Sequence, residues 1–88
     1  MEQLLQAIAS SYRRKILQLL RDRELSAGEI ASHFPNVTRP AISQHLSVLK
    51  ESRLLSERRT GTRRLYKTRA DGLGELQGFL DPFIKRKR

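Results

Sequence analysis

Apolar residues recur at helical spacing through the first twenty positions. Leu4, Leu5, Ile8, Tyr12, Ile16, Leu19 and Leu20 share one side and leave Arg13, Arg14, Lys15 and Gln18 largely outside. Ser10-Ser11 interrupt this run with residues that are poor in helix interiors and good at helix starts. The pattern therefore predicts a short first helix and a second over about Ser11–Arg21. A third helix begins at Ser26, with Glu29 three residues on as the partner in a capping box. Leu25 and Ile30 are spaced for the accompanying hydrophobic staple. This helix is brief, turns Ile30, Ala31 and Phe34 inward, and ends at Phe34-Pro35-Asn36. Proline disfavours helix at the residue before it, and asparagine tolerates a left-handed turn.

Thr38 is placed to cap a fourth helix, with Pro40 in the first turn, where a missing N–H costs nothing. Ile42, Leu46 and Leu49 form its inward face, with Val48 at the edge. Arg39, Pro40, Ser43, Gln44 and Ser47 lie on the other side, a polar surface weighted toward the N-terminal half. Two short helices joined by such a turn form a helix-turn-helix, whose second helix can enter the major groove of DNA. Leu54-Leu55 then anchors a strand to about Arg59, Gly61 supplies the positive φ of a tight hairpin, and a return strand runs from Arg63 to about Thr68. From Asp71 the spacing is helical again, with Leu73, Leu76, Phe79, Leu80, Phe83 and Ile84 in one stripe. Gly72, Gly74 and Gly78 each weaken this helix by up to ~1 kcal/mol relative to alanine, so packing must sustain it. The expected fold is mainly α with a small β-hairpin: a winged helix-turn-helix of five helices and a two-stranded wing, in a single domain over 1–88.

Charge sharpens the picture. The 88 residues carry a formal net charge of +9, unevenly spread. Residues 53–69 hold seven Lys or Arg and one acid, whereas residues 70–84 hold three acids and no base. The basic cluster is the electrostatic footprint of a polyanion partner; the alternative is a solvated surface. The tail Lys85-Arg86-Lys87-Arg88 is open to either account. The acidic last helix offers large apolar residues and nothing to DNA. It reads as a dimerisation helix packing with the first (Leu4, Leu5, Ile8, Leu73, Leu76, Phe79, Leu80, Phe83), against the alternative of an intramolecular core helix.

Other classes fall away. The chain has no cysteine, hence no disulfide, thiolate metal site or sulfur redox switch. No apolar run approaches the ~20 residues of a membrane span, and Met1-Glu2-Gln3-Leu4-Leu5 lacks the basic start of a secretory signal; a cytoplasmic protein is expected. Neither histidine has a nucleophile or carboxylate set around it, so no enzyme and no cofactor is expected.

Individual residues follow from chemistry. Gln44 is the best candidate for base reading, because an amide can bond an adenine edge bidentately. Ser43 has a hydroxyl that donates or accepts, and Arg39 has the reach for a guanine or a phosphate. Arg13, Arg14, Ser47 and Lys50 are placed for phosphates beside the groove, or simply for solubility. Arg58, Arg59, Arg63 and Arg64 flank the wing tip, where a phosphate backbone or minor groove favours arginine. His45 borders the apolar face, equally suited to a satisfied boundary position and to DNA. His33 reads as structural or solvated, and Tyr66 as packing.

In Arg13-Arg14-Lys15-Ile16-Leu17, Leu25-Ser26-Ala27-Gly28-Glu29-Ile30-Ala31, Arg39-Pro40-Ala41-Ile42-Ser43-Gln44-His45-Leu46-Ser47-Val48-Leu49 and Leu76-Gln77-Gly78-Phe79-Leu80-Asp81-Pro82-Phe83, the chain resembles a winged helix-turn-helix repressor of the ArsR type. That resemblance implies a homodimer on an inverted-repeat operator that blocks transcription. Two departures qualify it. Metal-sensing members carry Cys-x-Cys where this chain has Glu24-Leu25-Ser26-Ala27-Gly28, and the last helix has Asp71, Glu75 and Asp81 but no histidine. A non-metal-sensing member is implied, responding to an organic effector or to none. Relatives also commonly have Asp-Pro-Thr where this chain has Ser10-Ser11-Tyr12, which implies a smoother junction between the first two helices. The competing functions are a winged-helix protein-interaction module and a nonspecific nucleic-acid-binding protein.

Overall fold

Three hydroxyl caps divide the first half of the chain. In the computed structural model, which describes residues 1–84, Ser10 Oγ accepts from Arg13 N–H (3.3 Å), Ser26 Oγ from Glu29 N–H (3.2 Å) and Thr38 Oγ1 from Ala41 N–H (3.2 Å). Each satisfies an amide that the first helical turn leaves without a partner. The helices so started are α2 (Ser11–Leu19), α3 (Ala27–Ala31) and α4 (Arg39–Glu51); α1 (Glu2–Ile8) precedes them. The junction of α1 and α2 is sharp rather than smooth. Ser10 is extended at φ −85°, ψ 129°, so a serine cap breaks the helix without a proline. The capping box at α3 is complete, with Glu29 Oε1 accepting from Ser26 N–H at 2.8 Å. The basic tail 85–88 lies outside the described residues.

The end of α4 is a Schellman turn made without glycine. Leu54 N–H donates to Leu49 O (2.9 Å) and Arg53 N–H to Lys50 O (3.1 Å), while Arg53 takes the left-handed conformation at φ 60°. Leu49 and Leu54, the two apolar positions of that motif, are both fully buried. The antiparallel strands β1 (Leu55–Thr60) and β2 (Arg63–Thr68) follow, paired from Leu55↔Thr68 to Thr60↔Arg63 around a Gly61-Thr62 loop. Positive φ at Gly61, and not at Thr62, is the pattern of a type II′ turn. The wing base is pinned by Thr68 N–H to Leu20 O (3.1 Å), Thr68 Oγ1 to Leu17 O (2.8 Å) and the Leu25–Tyr66 backbone bridge.

One core joins these elements: Leu4 and Ala7 from α1, Ile16 and Leu20 around α2, Ile30, the Ile42/Leu46/Leu49 face of α4, and Leu54-Leu55. The helix α5 (Asp71–Ile84) lies at its edge, with Leu76 packed against it. Gly72 alone of its residues is buried and Leu76 is half-buried, whereas Phe79, Ile84 and Phe83 are 51%, 63% and 71% exposed. Leu76 apart, its apolar stripe is therefore left largely exposed in the single chain. No described helix is long and apolar enough to cross a membrane.

Candidate nucleic-acid interface

The exposed side of α4 begins at its cap. Thr38 fixes the first turn, and Ile42, Leu46 and Leu49 clamp the opposite face into the core, which leaves Arg39, Pro40, Ser43, Gln44 and Ser47 all exposed together. Gln44 and Ser43 make no hydrogen bond through their side chains among the described residues, so their polar groups remain available to a ligand. The surface suits base edges in a groove.

His45 is turned away from that surface. Its ring is half-buried, stacks on Tyr12 at 6.1 Å between centroids, and meets Arg13 Nη1 at 3.2 Å from Nδ1. A guanidinium has only donors, so Nδ1 must be the acceptor and the imidazole neutral. Burial first, and the Arg13 charge second, hold its pKa below the ordinary histidine value. In the free protein His45 thus sits at the edge of the apolar face, with Tyr12 and Arg13 against its ring.

Arg13 and Arg14 are likewise engaged internally. Arg13 donates to Ala7 O (2.6 Å) and Gln6 O (3.0 Å), and Arg14 to Ile8 O (2.8 Å). These are carbonyls of the last turn of α1, of which Gln6 O also accepts from Ala9 N–H, and the two cations sit where the helix dipole is negative. Their role in the free protein is to close α1 and join it to α2.

In the wing, Arg58 grips Glu24 with Nε (3.0 Å) and Nη2 (2.7 Å), Arg63 Nη2 donates to Glu29 Oε1 (2.9 Å), and Arg64 Nε lies 3.4 Å from Glu57 Oε2. Lys50 also pairs with Glu57. Hydrogen bonding from Arg58 lowers the Glu24 pKa, the Ser26 amide foremost lowers that of Glu29, and Lys50 lowers that of Glu57. Arg39 and Arg59 form no ion pair among the described residues. Sequence reasoning missed Glu24 and Glu57 as partners. The cross-strand neighbourhood of Glu57 was the one signal available, because Glu24 and Arg58 stand 34 positions apart.

At the other end, Leu4 is 4% exposed and belongs to the core of this chain, with Ile8 half-buried beside it. Leu5, Leu73, Phe79, Leu80 and Phe83 remain exposed, and Leu76 half so. Glu75 links the two terminal helices, lying 3.6 Å from the Met1 amino group and 3.1 Å from Arg53 Nη2. The described residues hold no group of three His, Cys, Asp or Glu placed for a metal ion. On the last helix Asp71 and Glu75 are paired with cations.

A five-helix winged helix-turn-helix with a polar second helix and an arginine-rich hairpin is the architecture of a DNA-binding regulator. Residues 10–57 match the family described as bacterial regulatory protein, arsR family. The HTH-type transcriptional regulator Rv2034 of Mycobacterium tuberculosis is 47% identical over 81 residues, covering 92% of this chain and 75% of that protein. The transcriptional repressor SdpR of Bacillus subtilis is 44% identical over 61 residues, covering 69% and 67%. The crystal structure of a possible transcriptional regulator for arsenical resistance superposes with a TM-score of 0.81 at 38% identity, covering 98% of this chain and 88% of that one. This chain belongs to the ArsR family of DNA-binding transcriptional regulators, and it is not an enzyme.

Proposed function

We propose that the protein is a homodimeric repressor that grips an inverted-repeat operator with two copies of α4 and two wings. The observation that carries the dimer is the apolar stripe of α5: Leu73, Phe79, Leu80, Phe83 and Ile84 all face water in the single chain. A continuous apolar surface of this size is a protein–protein contact in wait, and Met1 and Leu5 extend it onto α1. Repression is the sense carried by the name of SdpR. In this reading Gln44 and Ser43 read bases, Arg39 reaches a guanine or phosphate, Pro40 lines the groove, and Ser47, Lys50 and Arg59 contact the backbone. Cytoplasmic location follows from that task.

Selection of bound duplexes from a random pool at ~0.15 M salt tests the reading, because nonspecific phosphate binding is then weak. The expected product is an inverted repeat with half-sites about one helical turn apart. A pool that stays random overturns it. Placing the selected site in a promoter then separates repression, seen as lower transcript, from activation.

A further inference from the structure

The wing arginines are not all pointed at a ligand. Arg58 and Arg63 occupy the same face of the hairpin, since cross-strand pairing sets Arg58 opposite Leu65 and Thr60 opposite Arg63. Both close onto the helix-turn-helix: Arg58 onto Glu24 just before α3, and Arg63 onto Glu29 within it. Glu29 Oε1 serves two donors at once, the Ser26 amide and Arg63. Between the two ion pairs, Leu25 exchanges backbone hydrogen bonds with Tyr66 at 3.2 and 2.8 Å.

These pairs are poor sources of stability. Exposed ion pairs contribute ~0–1 kcal/mol, and both pairs reach solvent, with the Glu29 side chain 49% and the Glu24 side chain 31% exposed. A carboxylate on a DNA-facing side is also repelled by phosphate. A bidentate fork does something else well: it fixes an angle.

We propose that Glu24 and Glu29 are positioning residues for DNA recognition. Through Arg58 and Arg63 they hold the wing at a set angle to α3 and α4, so that α4 in the groove and the wing tip on the backbone engage one duplex together. This rests on the operator-binding reading above. Arg58 and Arg63 then orient the wing, while Arg59, which forms no ion pair among the described residues, meets the phosphates.

Glu24 is the clean test because it caps no helix. In the Glu24→Gln variant of the full chain, 15N relaxation and residual dipolar couplings report the wing amides Thr60 to Thr62 in the free protein. Affinity is then measured for the selected duplex and for a random duplex of equal length. The expected result is greater wing-tip amplitude and about fivefold weaker binding to the selected duplex, with random-duplex binding unchanged or tighter. Exchanging the charges, Glu24→Arg with Arg58→Glu, restores both readouts. Tighter binding to both duplexes would reduce Glu24 to a competing charge and overturn the proposal, as would a mobile wing with unchanged affinity. If no sequence is enriched, operator binding has failed on its own. The wing amides then decide the anchoring alone, and unchanged couplings sink it.

Discussion

The amide of Gly72 donates to the carbonyl of Arg53 at 3.0 Å, so the first turn of α5 is built on the turn that ends α4. A Cβ at Gly72 would lie 2.8 Å from Ser52 O and 3.0 Å from both Arg53 O and Leu54 Cδ2. Two of those atoms are backbone and cannot step aside. Gly72→Ala should destabilise the fold by about 1–3 kcal/mol, the usual range for overpacking. Gly74 and Gly78 meet nothing within 4 Å, so alanine there should raise helix content instead. Urea unfolding and far-ultraviolet circular dichroism at one protein concentration separate the two outcomes.

Arg53 is a side chain in a glycine's conformation, at φ 60°. Arg53→Gly removes a strain of about 1 kcal/mol and loses only an exposed pair with Glu75. A gain in melting temperature of roughly 4–8 °C per kcal/mol is expected for a domain of this size.

His45 makes stability depend on mild acid. Its folded pKa is depressed, so its contribution is complete above the unfolded value near 6.5 and is lost as pH falls through the folded value. The groups facing it are the Arg13 guanidinium and the Tyr12 ring, with Lys15 Nζ over that ring at 6.0 Å from its centroid. No carboxylate stands among them to steady a protonated imidazole. Stability measured from pH 8 to 5 should fall below about 6.5, and His45→Gln should flatten the curve there. Glu24, Glu29 and Glu57 are held below the ordinary carboxylate range, so their losses come at lower pH and do not overlap.

The exposed aromatics of α5 predict an assembly defect without a folding defect. Phe79 and Phe83 touch each other at 5.5 Å between ring centroids and are at least half exposed. Replacing both with serine should leave the core and the wing folded, with any loss of helix content confined to α5, whose glycines leave it dependent on packing. Sedimentation should then give the mass of one chain where the unaltered protein gives two, and inverted-repeat binding should drop to half-site strength.

DNA contacts divide by chemistry. Gln44→Ala should relax preference at one base position, costing about 1–3 kcal/mol on the preferred sequence alone. Arg59→Ala should weaken binding to every duplex and lower the salt slope by about one. Arg58→Ala should leave that slope nearly unchanged, since its charge is already met by Glu24.

What the sequence discloses is what neighbours in the chain decide. Ser10, Ser26 and Thr38 announce their helices because a cap acts on an amide three residues on. Gly61 marks its turn because glycine takes positive φ without the steric cost that other residues meet there. The clustering of Arg39, Ser43 and Gln44 follows from the spacing of Ile42, Leu46 and Leu49. Arg53 gives no such sign: an arginine does not advertise a left-handed turn, and burial of Leu54 imposes it. Nor do Arg13 and Arg14, whose partners are carbonyls rather than side chains of opposite charge. The wing pairs are hidden for another reason. Glu24 and Arg58 meet only after two helices and a strand have folded between them.

By carrying Glu24, Glu29 and Glu57 against its own cations, the protein brings covalently attached counterions to the chromosome. Nonspecific attraction grows with the number of mobile ions freed at each encounter, and here several such encounters free none. The count of 18 Lys and Arg therefore overstates how strongly random sequence retains the molecule. Genomic DNA becomes a shallower sink, and a small number of copies leaves a larger unbound pool to find the sites that matter.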